Sequence, residues 1–539
     1  MHRRAWSEVL DHLGLVAGMF DELGIGDVLD RAMQHNPETR IVTVGNAVKA
    51  MVLNGLGFVN QQLYLVPRFF QNKPTQRLIA PGIAAQHLHD DTLGRALDLL
   101  YDYGVTALYS LIAATAAQRL GLAPTFAHLD STSFHVDGRY NSAEEPDAEV
   151  IHMTRGYSRD HRPDLNQVML DLIVEHQAGI PLLMQPLSGN SSDPQTFGEI
   201  VTEHIQQLHT TYGTTYLVAD SALYSEDNLQ KLAATGSKWI TRVPATLTEV
   251  QAALAHAIPE TMEPLAESYR YHMLASTYGG VAQRWMLVYS AHRRPQAQRS
   301  VDQHWRTQST AEAKAFHKLC RTAFACTADA QHALTTFIRG LQATSLHTSA
   351  IEPRPRYNKR GRPRPGAPPA QVVYHITGAL TSSLAAHAAL VAPESCFVLA
   401  TNELDECRLP PQALLEGYKG QQAVERGFRF LKDPSFLASS LYLKKPERIM
   451  ALLMVMTVCL LVYAALEYRI RKALKDQNAT FPNQKGQPVQ NPTARWVFHY
   501  FVGIHLLRIR GEGAFVLNLS DQHRHLLRLL GRSYEAFYS

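Results

Sequence analysis

Two short apolar runs in this chain end in the same way. Thr125–Leu129 leads into Asp130 and Ser131, and 90 positions later Thr215–Ala219 leads into Asp220 and Ser221. Runs of this length and composition read as strands, so each aspartate is expected at an exposed strand end, where a carboxylate can meet a ligand. A single Asp after a strand is more often a loop or capping residue; the repeated ending points beyond that. A third carboxylate, Glu425, lies in GYKGQQAVERGFRFLK, a helical pattern with Val424, Phe428 and Leu431 on one side and Glu425 beside them. Three carboxylates sharing a site raise one another's pKa unless cations lie between them. Hard oxygen donors select Mg²⁺ or Mn²⁺. Two such ions about 3.5 to 4 Å apart activate a water or a 3′-hydroxyl on one side and stabilise a leaving oxygen on the other. Asp130, Asp220 and Glu425 are thus candidate catalytic residues and metal ligands for phosphodiester chemistry.

The elements around them suggest a mixed α/β protein. With 539 residues, 45% of them hydrophobic, the chain can bury a core in two or more domains. A net charge of +4 is too small for a global field, so any nucleic-acid contact must come from local patches. Five cysteines without a CxxC pair suit free thiols in a reducing compartment. The opening MHRRAWSEVLDHLG has no apolar region of the secretory type, and a bacterial cytoplasm is the expected location. Residues 1–120 read as a helical N-terminal domain, with Val44, Val48 and Met51 and then Leu93, Leu97, Leu100 and Tyr101 at helical spacing. Residues 121–260 read as the first part of a sheet core. Val168–Val174 and Ile180–Leu187 form an antiparallel pair across Gly179 and Pro181, and a helix over Thr196–Leu208 precedes the Asp220 strand. Residues 261–370 read as an insertion ending in a basic, proline-rich connector, EPRPRYNKRGRPRPGAPP. Residues 371–475 complete the core with the Glu425 helix, and 476–539 form a helical C-terminal region. Ile449–Leu466 carries no charge and matches the shortest spanning helices, at about 17 residues. With charges on both flanks and no second span, it is read as a buried core helix, a membrane span being the alternative.

Around Glu425 the sequence resembles the DDE transposases of bacterial insertion sequences, specifically the insertion-sequence-four superfamily with the signature Y-x2-R-x3-E-x6-K. Tyr418, Gln421, Glu425 and Lys432 stand at its positions, with Gln421 replacing the arginine. LDSTSFHVDG, GYSRDHRPDLNQV, LSGNSSDPQTF, VADSALYS and WITRVP resemble the blocks that accompany the two aspartates. GNAVKAMVLNGLGF and DDTLGRALD resemble the helical region before the nuclease core in one branch. The resemblance implies an RNase H-like fold with an insertion of about 200 residues between Asp220 and Glu425. It implies a dimer or larger assembly that binds terminal inverted repeats and target DNA near the nucleoid, with Tyr418, Gln421 and Lys432 contacting DNA phosphates. A nuclease of the same fold that never joins, and a DNA-binding protein that has lost catalysis, are the alternatives.

Other residues invite sharper readings beside plain ones. Trp239 and Arg242 in WITRVP suit a base-stacking and phosphate contact, although Trp in a strand is more often core. Arg360 and Arg362, in an Arg-Gly-Arg-Pro run, suit insertion into an A/T-rich minor groove or a merely solvated linker. Asp164, Asn166, Arg159, Arg162 and Gln167 form a polar cluster that either approaches the site or caps turns. His317, Cys320, Cys326 and His332 contain zinc-type residues, but without paired-ligand spacing.

Overall fold

The computed structural model describes residues 5–33, 41–58, 65–136, 150–156, 162, 164–357, 368–433, 443 and 445–539. The chain divides into two units, one of residues 1–241, 277–282 and 401–539, the other of residues 242–276 and 283–400.

In the first unit five strands lie side by side in the order Pro181–Ser188, Asn166–Glu175, Phe126–Val136, Tyr216–Ala219 and Lys238–Arg242. The first three pair antiparallel, and Phe126–Val136 then pairs parallel to Tyr216–Ala219, itself parallel to Lys238–Arg242. The parallel steps need crossovers, which the helices Asp193–Tyr212 and Glu226–Ala234 provide. An antiparallel meander continued by parallel crossovers is an RNase H-like core. The expected turn at Gly179 is present, with φ +73°. The buried Glu175 carboxylate holds it by accepting the N–H groups of Gln177, Ala178 and Ile180 at 2.6, 2.7 and 3.0 Å.

The strand carrying Asp130 does not stop there, as the apolar run alone suggests, but continues to Val136. Ser131, Thr132 and Ser133 are buried, and they pair with Asp171, Leu170 and Met169 of the next strand. A polar run reads as a strand end when its antiparallel partner, distant in sequence, is out of view; here that partner supplies the hydrogen bonds that keep it extended.

One face of this sheet shares a core with the helices on either side of it in sequence. Phe134, Leu170 and Leu172 join Leu97, Leu108 and Tyr109 of the N-terminal helices and the buried residues of the helix Pro446–Asp476. That helix contains the apolar run, and 89% of its most apolar window is buried within the protein. Its N-terminal Arg448 reaches both carboxylate oxygens of Asp98, at 2.6 and 2.7 Å, which ties this helix to the N-terminal helices. The chain's two ends also meet in this unit. Ala5–Val9 pairs antiparallel with His505–Ile509, and Gly14 and Gly18, one helical turn apart, leave room for the rings of Tyr538 and Tyr534.

In the second unit Glu263–Ala266, Tyr269–Tyr278, Val281–Ser290 and Cys396–Thr401 are sheet strands. The helices Arg294–Arg321 and Thr327–Arg339 pack on a separate antiparallel pair, Thr344–Arg356 with Gln371–Ser382. The proline-rich stretch is therefore a strand at its start: Pro353 and Pro355 pair opposite Tyr374 and Val372. A two-stranded sheet has only edge strands, where proline is tolerated because no neighbour needs its missing N–H. Expectation and structure differ here because composition cannot reveal a partner strand.

Two measurements test this packing. Leu461 is fully buried in the long helix, and Leu461→Ala is expected to lower the unfolding free energy by about 2 to 5 kcal/mol, measured by urea denaturation. A change below about 1 kcal/mol would place that helix outside the core. His12 is buried, donates from Nε2 to the Leu56 carbonyl at 2.8 Å and stacks on Phe498. Burial pushes its pKa down to about 4, so below about pH 6.5 the unfolded chain takes up a proton that the folded chain refuses. Stability is expected to fall between about pH 6.5 and 4 by about 3 kcal/mol from this group. His12→Phe should remove part of that slope, and an unchanged pH profile would refute the assignment.

Candidate active site

The register of the two parallel strands brings the aspartates together. Leu129 pairs with Ala219 as the last parallel rung, so Asp130 and Asp220 are the next residues on neighbouring strands, whose spacing is about 4.8 Å. Each has one carboxylate oxygen fixed locally: Asp130 accepts the Ser131 N–H at 2.8 Å and Asp220 the Ala222 N–H at 2.9 Å. Asp220 thereby caps the short helix Ser221–Leu223, as a single Asp after a strand commonly does. From the next strand, the Thr241 hydroxyl donates to the Asp220 carbonyl at 2.6 Å.

Glu425 lies in the first turn of the helix Gln422–Leu431. Just before it, Gln421 grips the Asp130 strand with both ends of its amide. The Gln421 Oε1 accepts from His128 Nδ1 at 3.2 Å, and its Nε2 donates to the Leu129 carbonyl at 3.0 Å. At the far end of the helix the Lys432 ammonium lies 5.9 Å from the centre of the Phe134 ring. Gln421 to Lys432 is about 16 Å along a helix, and Leu129 to Phe134 is about 16 Å along a strand. The helix therefore runs beside the strand, in the same direction. Glu425, about 6 Å from Gln421, stands level with Asp130 and Ser131, on the helical stripe shared by Gln421 and Lys432. Val424, Phe428 and Leu431 bury the adjoining stripe, while Glu425 stays exposed.

Two glycines permit the approach. A Cβ on Gly417 would meet the Phe126 ring at 2.8 Å, and one on Gly420 would meet His128 Nε2 at 2.7 Å. His128 is itself buried, and burial pushes its pKa down to about 4, so it is neutral and donates from Nδ1. His128, Gly417 and Gly420 stand outside the acidic motif and its signature. The GYKG spacing, with two glycines three apart at a helix end, is the one sign of them in the sequence.

The candidate DNA contacts fare differently. Gln421 stands where the signature has a phosphate-binding arginine, but its amide is engaged inside the protein. Trp239 is fully buried, with an edge contact to Tyr224. It is a core residue and not a stacking platform, because its strand lies inside the sheet. In the second unit Arg242 lies over the Phe397 ring at 5.9 Å. Tyr418 is half-buried in the helix Pro411–Lys419. Arg360 and Arg362 lie outside the described residues, as does Arg159. Arg162 pairs with Asp164 at 2.9 Å, and Gln167 donates to the Gly189 carbonyl at 2.7 Å.

Among the described residues, only His89, Asp90 and Asp91 place three ligand atoms within 4.8 Å of one another. His317, Cys320, Cys326 and His332 do not supply such a group. Asp130, Asp220 and Glu425 are not such a group. Their donors are all carboxylate oxygens, the chemistry that hard divalent ions select.

Comparison with known proteins gives two family matches. Residues 123–462 match the model described as "Transposase DDE domain", and residues 6–114 match one described as "Domain of unknown function (DUF4277)". No curated protein matches the chain. Among solved structures, the piggyBac transposase synaptic complex with hairpin DNA, determined by cryo-EM, is 10% identical, with 98% of this chain and 86% of that one covered and a TM-score of 0.36.

The Gln421 clamp makes a direct prediction. Gln421→Met keeps the side chain's length but removes both hydrogen bonds. Mn²⁺ affinity, measured by titration calorimetry, is expected to weaken about 10-fold or more, as when a group orienting a metal ligand is removed. DNA affinity should be unchanged. Weaker DNA binding with unchanged Mn²⁺ affinity would instead make Gln421 a phosphate contact.

Proposed function

The chain belongs to the transposase DDE domain family and is a DNA transposase, and we propose that Asp130, Asp220 and Glu425 are the acidic triad with which it cuts and joins DNA. The observation that carries the assignment is the strand register: Leu129 opposite Ala219 puts two aspartates side by side, and the Gln421 grip on that strand brings Glu425 level with them. Metal ions held there, Mg²⁺ or Mn²⁺ and two in number, would supply charge neutralisation at the reacting phosphate and a lowered pKa for the attacking hydroxyl.

The protein's own share is positional. Two rigid strands and one helix, each fixed by backbone or buried contacts, present the carboxylates with little freedom to rearrange during reaction, which is where most of the rate gain in phosphoryl transfer arises. Lys432, on the same helical stripe as Glu425, would meet a phosphate flanking the scissile bond. In this reading the transposase acts near the nucleoid of a bacterial cytoplasm. It belongs to an insertion sequence of the insertion-sequence-four superfamily, and it works as a dimer or larger assembly, since two element ends must be held together. It binds terminal inverted repeats, releases a 3′-hydroxyl by hydrolysis and directs that hydroxyl at target DNA.

The test is cleavage and strand transfer with Mg²⁺ on duplexes carrying the element's own terminal repeats, comparing wild type with Glu425→Gln. Wild type should yield joined products, and the variant should bind the same DNA but perform neither step, a loss of at least about 1,000-fold. Equal activity in both would overturn the triad. Cutting without joining by wild type would make the protein a nuclease of this fold.

A further inference from the structure

The second unit contains a 28-residue helix, Arg294–Arg321, that its small core explains on one side only. Ala297, Val301, Trp305, Glu312 and Phe316 are its buried residues, and at about 100° per residue they fall on a single face. The opposite face carries Arg299, Arg306, Lys314, Lys318 and Arg321, all exposed, within an arc of about 120°. Among the described residues none of these five cations makes a salt bridge.

Both carboxylates of the helix are used elsewhere. Asp302 meets His387 Nε2 at 2.7 Å. Glu312 accepts the backbone N–H groups of Gln342, Ala343 and Thr344 at 2.8, 3.1 and 2.8 Å, and the Thr344 hydroxyl besides. An exposed helix kept soluble by its charges normally mixes both signs at i, i+4 spacing. This one has withdrawn its negative charges into structural contacts and left a surface of one sign. From Arg299 to Arg321 the stripe covers about 33 Å, close to the roughly 34 Å of one turn of B-form DNA. Gln303, exposed between the first two arginines, adds a neutral donor of the kind found at phosphates.

We propose that this face of Arg294–Arg321 is a docking surface for the phosphate backbone of duplex DNA, independent of base sequence. The inference rests on the transposase reading, since that is what makes duplex DNA the polyanion at hand. It does not depend on the acidic triad. Long, flexible side chains on a rigid rod can each find a phosphate without reading a base edge. The surface therefore adds affinity and salt dependence and no sequence preference.

The experiment is a salt titration of binding between the full-length protein and a random-sequence duplex of about three helical turns, without divalent metal so that no cutting intervenes. Wild type is compared with a variant in which Arg299, Arg306, Lys314, Lys318 and Arg321 are all changed to Gln, and with a control variant, Lys472→Gln, Lys475→Gln and Lys485→Gln. Because every altered side chain is exposed, circular dichroism and the melting temperature should match wild type. The slope of log K against log salt is expected to fall by about 0.9 for each phosphate that is no longer neutralised. A fall of about 3 to 4 in slope and of at least about 10-fold in affinity is expected for the five-site variant, with little change for the control. An unchanged slope, or an equal fall in the control, would overturn the proposal. So would intact DNA binding with weakened self-association in ultracentrifugation, which would assign the face to an acidic protein surface. Wild type that binds no duplex at all would overturn the transposase reading along with it; triad failure in the cleavage assay with this salt effect intact would leave the proposal standing.

Discussion

Three carboxylates held near one another repel, and a protein that needs them together must oppose that repulsion with elements that cannot give way. For the proposed triad that opposition would come from the Asp130 strand. It is paired on both sides, antiparallel to Asn166–Glu175 and parallel to Tyr216–Ala219, so the position of Asp130 is set by two ladders. Asp220 takes its place from the end of one of them. Glu425 has no ladder, and depends on Gln421, whose amide is bonded to the same strand at His128 and Leu129. Every carboxylate of the proposed site is therefore referred to one strand.

That dependence explains features that otherwise look unrelated. His128 donates through Nδ1 to the Gln421 side-chain oxygen, and its burial keeps the ring neutral. Gly417 and Gly420 must lack side chains, because a Cβ at either would strike the rings of Phe126 or His128. The apolar helix Pro446–Asp476 is buried along its most apolar window, and Leu431, Val424 and Phe428 of the Glu425 helix join its core. This packing would give the proposed site a firm floor.

Position 421 holds a glutamine where the signature that the sequence resembles has an arginine. An arginine there carries a charge that DNA can use; a glutamine is neutral and can both donate and accept, which is what a clamp between a histidine and a carbonyl requires. Positive charge for DNA has its best-supported surface in the other unit, where one helix presents cations on a continuous face while its own carboxylates are tied up with Thr344 and His387. Chemistry and non-specific DNA affinity are thus assigned to different elements, which the separate outcomes of metal, cleavage and salt measurements can tell apart.

The sequence by itself determined the local patterns. The apolar runs before Asp130 and Asp220, the Gly179 turn, the helical period around Glu425 and the uncharged run after Pro446 all depend on neighbouring residues, and period and turn chemistry reveal such neighbours. It was also enough for the resemblance to transposases, which depends on spacing. Only the tertiary structure decided matters that join distant segments. Ser131–Ser133 stay in a strand because Asn166–Glu175 pairs with them, Pro353 and Pro355 join a strand because Gln371–Ser382 lies opposite, and Trp239 is core because its strand is interior. Gln421 meets His128 across 293 positions, and no periodicity reaches that far. The basic face of Arg294–Arg321 was equally hidden, since a cation counts toward a surface only once burial has shown which side of its helix faces out.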